Sequence, residues 1–95
     1  MAITVKIPTQ LRSAAGGEAE VDVDLEDASV GEVLDALFAR FEELRGRITE
    51  DGGLRRFVNV YVGGEDIRFG AGLDTRVPDG GEVTILPAVA GGGLS

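Results

Sequence analysis

At 95 residues the chain has room for one domain, and its 43% hydrophobic content is that of a globular protein rather than a disordered one. The absence of cysteine and histidine removes disulfides, thiolate and imidazole metal sites, a cysteine nucleophile and a Ser-His-Asp relay. A formal net charge of −8 repels phosphate backbones, so no nucleic acid is expected as a partner; a basic protein surface is the better match.

No apolar run approaches the roughly 18 residues that a membrane span needs, so no membrane partner is expected. Met1-Ala2-Ile3-Thr4-Val5-Lys6 lacks signal-peptide architecture, which makes the cytoplasm the expected location. Ile3, Val5 and Ile7 alternate with Ala2, Thr4 and Lys6, the pattern of a half-buried strand ended by Pro8. Leu11 to Gly17 reads as a connection that turns at Gly16-Gly17. Glu18 to Leu25 alternates again, with Val21, Val23 and Leu25 on one face and Glu20, Asp22 and Asp24 on the other. Two consecutive strands of this kind predict a hairpin.

Ser29 followed by Glu32 fits a capping box. Val30, Val33, Leu34, Leu37, Phe38, Phe41 and Leu44 recur at three- and four-residue spacing, which predicts one amphipathic helix that stops at Gly46. Ile48 to Leu54 reads as a polar, glycine-containing loop. Phe57 to Val62 predicts a central strand with apolar residues on both faces. Gly63-Gly64 supplies a two-residue hairpin turn, and Asp66 to Phe69 returns as a short strand. Gly70 to Asp79 is a loop, and Asp79-Gly80-Gly81 turns the chain into a last strand, Glu82 to Leu86. The predicted order is β-β-α-β-β-β, an α+β fold.

The acidic pairs Asp22/Asp24, Glu42/Glu43, Glu50/Asp51 and Glu65/Asp66 fall on predicted solvated faces or turns. Acid–base catalysis needs a carboxylate in a pocket with a perturbing neighbour, and none is suggested here. The glycine runs do not lie between a strand and a helix start, so they form no phosphate-cradling loop. No metal site is expected, no bound cofactor, and no enzymatic activity of the chain itself.

The end of the chain is different. Val83-Thr84-Ile85-Leu86 is a buried strand, and Pro87 cannot donate to further sheet pairing. Ala88-Val89-Ala90-Gly91-Gly92-Gly93 then carries only small side chains, which suits entry into a narrow partner channel. With Val83 and Ile85 inward, Thr84 and Leu86 face outward. Leu86, with Pro87 and Val89 beside it and acidic residues flanking it, is the expected apolar contact for partners.

A hairpin, a helix across a mixed sheet, further strands and a terminal Gly-Gly resemble the ubiquitin-like β-grasp proteins. Val83 to Gly92, preceded by Asp79-Gly80, is similar to the ending of the ThiS/MoaD sulfur carriers. Arg56-Phe57-Val58-Asn59-Val60-Tyr61-Val62, Glu65-Asp66-Ile67-Arg68-Phe69 and the opening Ile7-Pro8-Thr9 with Leu11-Arg12 resemble more particularly the CysO-type carriers of cysteine biosynthesis. The resemblance implies a β-grasp domain over residues 1–87 and a flexible tail over 88–95. It implies that the carboxylate of Gly92 is adenylated by an ATP-dependent, E1-like adenylating/sulfurtransferase enzyme and becomes a thiocarboxylate, with Ala90 and Gly91 as its tether. A cysteine synthase or other sulfur-acceptor enzyme would then take the sulfur, and a JAMM-type metalloprotease would release the adduct.

One departure from the family pattern matters. The active form ends at the glycine pair, whereas Gly93-Leu94-Ser95 follows here. The expectation is a pro-form trimmed, by a JAMM-type protease, to Gly92, with Gly93 as the alternative end. A ubiquitin-like modifier joined to lysine through the same glycine, and a carrier for thiazole, molybdopterin or a secondary metabolite, use the same activated intermediate and remain open alternatives.

Overall fold

Ile3, Val5 and Ile7 are buried while Thr4 and Lys6 stay partly accessible, so the alternation of the first segment builds a strand, β1 (Ile3–Lys6). The computed structural model describes residues 2–51, 53–56 and 58–87. A 3-10 turn (Thr9–Ala15) follows where only a connection was expected, and it buries Leu11, Ala14 and Ala15. β2 (Glu20–Val23) returns antiparallel to β1, with Ile3 opposite Val23 and Val5 opposite Val21, giving the predicted hairpin.

β3 (Ala28–Ser29) leads into α1 (Val30–Arg40). The capping box is formed in full. The Ser29 hydroxyl accepts the Glu32 N–H at 3.1 Å, and the Glu32 carboxylate accepts the Ser29 N–H at 2.8 Å. Val30, Val33, Leu34, Leu37 and Phe38 are buried.

The helix stops earlier than the apolar stripe predicts. Phe41 leaves helical geometry at φ −132°, ψ 80°, and a separate α2 (Glu43–Ile48) follows with Gly46 inside it. Leu44 and Ile48 are both fully buried, and α2 packs on the Thr9–Ala15 turn. One straight helix could not aim residues 41–48 there, so tertiary burial overrides the local period. The predicted loop from Ile48 to Leu54 contains β4 (Thr49–Glu50) paired with β5 (Gly53–Leu54).

β6 (Val58–Val62) turns at Gly63-Gly64 into β7 (Glu65–Asp66), with Val62 opposite Glu65. Both glycines have positive φ, +58° and +90°, as a two-residue hairpin turn demands. Val58 and Val60 are buried, but Asn59 and Tyr61 on the other face are only half-covered, so β6 is not apolar-packed on both sides as expected.

The expected strand from Asp66 to Phe69 is cut short. The Asp66 carboxylate accepts the Arg68 N–H at 2.9 Å and starts a 3-10 turn (Ile67–Phe69). The loop beyond it holds a second 3-10 turn (Gly72–Asp74) and β8 (Arg76–Val77), which pairs with β3.

β9 (Glu82–Pro87) is the centre of the five-stranded sheet, whose order is β2-β1-β9-β6-β7. It runs parallel to β1 and antiparallel to β6. Gly81 admits it to that place: a Cβ there would lie 2.8 Å from the Pro78 carbonyl oxygen and 3.0 Å from Val77 Cγ1. The Gly81 carbonyl accepts the Thr4 N–H at 3.0 Å, which joins β1 to the start of β9. Val83, Ile85, Val5, Val60 and Leu37 are fully buried between sheet and helix. This mixed sheet wrapped on one main helix is the β-grasp arrangement. The boundary expected at residue 87 falls at the last described residue, and the expected tail, 88–95, lies outside the described residues.

Candidate functional site

β9, the central strand, carries the chain as far as Pro87, the last described residue. Its inward residues Val83 and Ile85 are fully buried, which fixes the register and leaves Leu86 45% exposed on the opposite face. Leu86 stands opposite Asn59, and Pro87, the last residue of the strand, stands opposite Val58. Val89, Ala90, Gly91, Gly92 and Gly93, the residues singled out for the tail, lie outside the described residues.

The root of the tail is braced by a residue that the sequence reading placed in a strand without a role. The Arg68 guanidinium donates to Asn59 Oδ1 at 2.8 Å, to the Val58 carbonyl at 2.8 Å and to the Arg55 and Arg56 carbonyls at 3.0 and 3.3 Å. It therefore ties the segment leading into β6 to the turn after β7. Since Val58 and Asn59 are the register partners of Pro87 and Leu86, the position of the tail root depends on this knot. No periodicity or motif signals an arginine that satisfies several backbone carbonyls at once.

The cross-strand neighbour of Leu86 on β6, Asn59, is held by a cation, Arg68. The acidic residues of this face gather toward the other end. Glu20 stands opposite Lys6, Asp22 accepts a hydrogen bond from the Thr4 hydroxyl at 3.0 Å, and Glu82 pairs with Lys6 at 3.3 Å.

Asp22, Asp24, Glu42, Glu43, Glu50, Asp51 and Glu65 are exposed, and Asp66 is half-buried as a turn cap. Among the described residues no polar or charged side chain is buried, and no group of three potential metal ligands converges. The Glu32 carboxyl is held below its ordinary range, chiefly by the Ser29 backbone N–H, then by the Ser29 hydroxyl, with Arg76 adding a smaller attraction. That is helix-capping chemistry and lies on α1, away from the tail root. No described helix is long and apolar enough to cross a membrane. What the described residues build is a mixed sheet on one main helix, with Leu86 exposed near the end of β9.

The comparisons with known proteins agree with this picture. The sequence matches the ThiS family over residues 5–92. It is 45% identical, over 97% of this chain and 100% of the relative, to the sulfur carrier protein CysO of Mycobacterium tuberculosis. Its fold is similar to that of the Amycolatopsis orientalis BexX/CysO complex, at a TM-score of 0.88 and 47% identity, covering 96% of this chain and 100% of the other. The small archaeal modifier protein 1 of Haloferax volcanii is similar at a TM-score of 0.79 and 33% identity, covering 93% of this chain and 98% of the other. The chain has the ubiquitin-like β-grasp fold and belongs to the ThiS family.

Proposed function

We propose that this chain is a sulfur carrier that acts through the carboxylate of Gly92. The observation that carries the reading is the ThiS match itself, which spans the folded body and runs to Gly92. The likeness to CysO over nearly the whole chain supports the same reading and favours cysteine as the product that receives the sulfur. The residues beyond Gly92, namely Gly93-Leu94-Ser95, are removed first, by a metalloprotease of the JAMM type; Gly93 is the alternative end.

A carboxylate is a poor electrophile until one oxygen belongs to a good leaving group. An E1-like enzyme joins the Gly92 carboxylate to the AMP moiety of ATP and releases pyrophosphate. A sulfur donor then displaces AMP and leaves a thiocarboxylate, a soft nucleophile that stays ionised at neutral pH. That sulfur attacks an activated substrate held by a cysteine synthase or another acceptor enzyme. The chain is a co-substrate in each step, so it needs no acid, base or metal of its own. Its parts in the chemistry are an unhindered terminal carbonyl, a tether of Ala90 and Gly91, and a platform whose Leu86, Pro87 and Val89 meet the partner. The ordering entropy of the tether must be offset by docking of the folded body. A likeness to a solved BexX/CysO complex supports a body that docks on partner proteins.

A second reading has its own support. The likeness to small archaeal modifier protein 1 favours conjugation, in which a target lysine attacks the same adenylate and forms an amide. Both readings require Gly92. In a chain ending at residue 92, Gly92→Ala should cut adenylation by the activating enzyme severalfold without changing the melting temperature. Undiminished adenylation of that variant would remove Gly92 from the account.

A further inference from the structure

A groove of about 680 Å³ lies at the β7 edge of the sheet, between the β6–β7 hairpin and the loop that leads to β8. Tyr61, Val62, Ile67 and Ala71 are among the residues that line it, and so is Phe69, with 92% of its surface in solvent. Phenylalanine is among the residues most often found buried, so an almost wholly exposed ring beside an open apolar groove needs a reason. The fold supplies none. The turn at Ile67–Phe69 buries Ile67 and commits Arg68 to backbone carbonyls, and neither requires an aromatic side chain at 69.

The rim has a definite charge. Glu65, Asp66 and Asp74 line it, and none of the three forms an ion pair among the described residues. The cation on the rim, Arg76, is already engaged by Asp27 at 3.5 Å and Glu32 at 3.9 Å. An apolar lining with an exposed ring, set in uncompensated negative charge, calls for an occupant that is apolar at its centre and basic at its flanks. A second copy of a chain with net charge −8 is repelled from such a rim, as is a nucleic acid.

We propose that this groove docks a basic segment of a partner protein. One apolar side chain of that segment seats against Phe69 in the groove, and lysine or arginine residues on either side pair with Glu65, Asp66 and Asp74. The site is separate from the tail root. Tyr61 stands opposite Thr84, three residues before Pro87, which is about 10 Å along β9 from where the tail leaves. A partner held in the groove therefore leaves Leu86 and the tail free for another protein. This inference does not depend on the sulfur chemistry.

The test is an NMR titration of the isotopically labelled full chain with the blocked peptide acetyl-Lys-Leu-Lys-Phe-Lys-amide, beside a control with glutamate at each lysine. The expected result is saturable shifts centred on the amides of Val62, Asp66, Phe69 and Gly70, absent with the glutamate peptide. Phe69→Ser should weaken binding about tenfold, as loss of an apolar anchor does, while the exposed site keeps the melting temperature close to that of the parent. Leu86→Asp should leave the affinity unchanged. Shifts scattered over Glu20, Asp22, Glu42 and Glu43 and indifferent to Phe69→Ser would overturn the proposal in favour of diffuse charge attraction. So would the absence of saturable shifts, or equal binding of both peptides.

Discussion

Leu86→Asp separates a docking residue from a core residue on a single strand. Leu86 is 45% exposed, whereas its neighbour Ile85 is fully buried. Burying a leucine completely is worth about 1.5–3 kcal/mol, so the exposed 45% holds about 0.7–1.4 kcal/mol that a partner can gain by covering it. Losing that amount weakens binding about three- to tenfold, and an aspartate carboxylate that must shed its water adds to the loss. The cost to the fold is limited to strand preference on an exposed face, at most about 1 kcal/mol. In a domain of this size that lowers the melting temperature by about 4–8 °C or less. Ile85→Ala leaves a cavity under α1 and costs about 2–5 kcal/mol, a far larger drop. The assay is titration of each variant, truncated after Gly92, against an E1-like activating enzyme, with thermal denaturation alongside. Unchanged affinity of Leu86→Asp at full stability would refute the docking role. A melting temperature as low as that of Ile85→Ala would refute the register that places Leu86 outward.

Two further predictions concern how the platform is built. Gly81→Ala forces a methyl group to within 2.8 Å of the Pro78 carbonyl oxygen, where the backbone cannot yield as a flexible side chain would. A loss of about 1–3 kcal/mol is expected by chemical denaturation, with faster amide exchange where β1 meets the start of β9. The depressed pKa of Glu32 implies a stabilising contribution that is full at neutral pH, above the unfolded-state value, and fades as pH falls through the lower folded-state value. The stability gap between the parent and Glu32→Gln should therefore be widest near neutrality and close in acid; a gap that widens in acid would reverse the assigned sign.

Much of this architecture is legible in the chain because each signal is local. Alternation at Ile3-Val5-Ile7 and Val21-Val23 marks one-sided strands, Ser29 and Glu32 mark a helix start, and Gly63-Gly64 marks a turn that only positive φ allows. The outward position of Leu86 follows from strand period alone. What escaped is non-local. Nothing in residues 38–48 announces that the helix breaks at Phe41, because the break is set by the need to bury Leu44 and Ile48 over a turn some 30 residues earlier in the sequence. Arg68 sits in an alternating stretch and reads as a surface cation. Its bonds to the carbonyls of residues 55, 56 and 58 exist only once the hairpin closes. For the same reason the asparagine held by an arginine opposite Leu86 could not be read from the chain, since neighbours across strands are set by register, not by sequence distance. The tail is the opposite case. Its chemistry is read from composition and family pattern, and it draws from the fold only the place where it begins.

The central claim is tested most directly by the intact mass of the chain ending at Gly92 after incubation with ATP, an E1-like activating enzyme and a sulfur donor, with the chain ending at Ser95 treated in parallel. The account predicts replacement of one oxygen by sulfur in the shorter chain and no change in the longer one. An unaltered mass in both, with an activating enzyme shown to be competent on its own carrier, would contradict it.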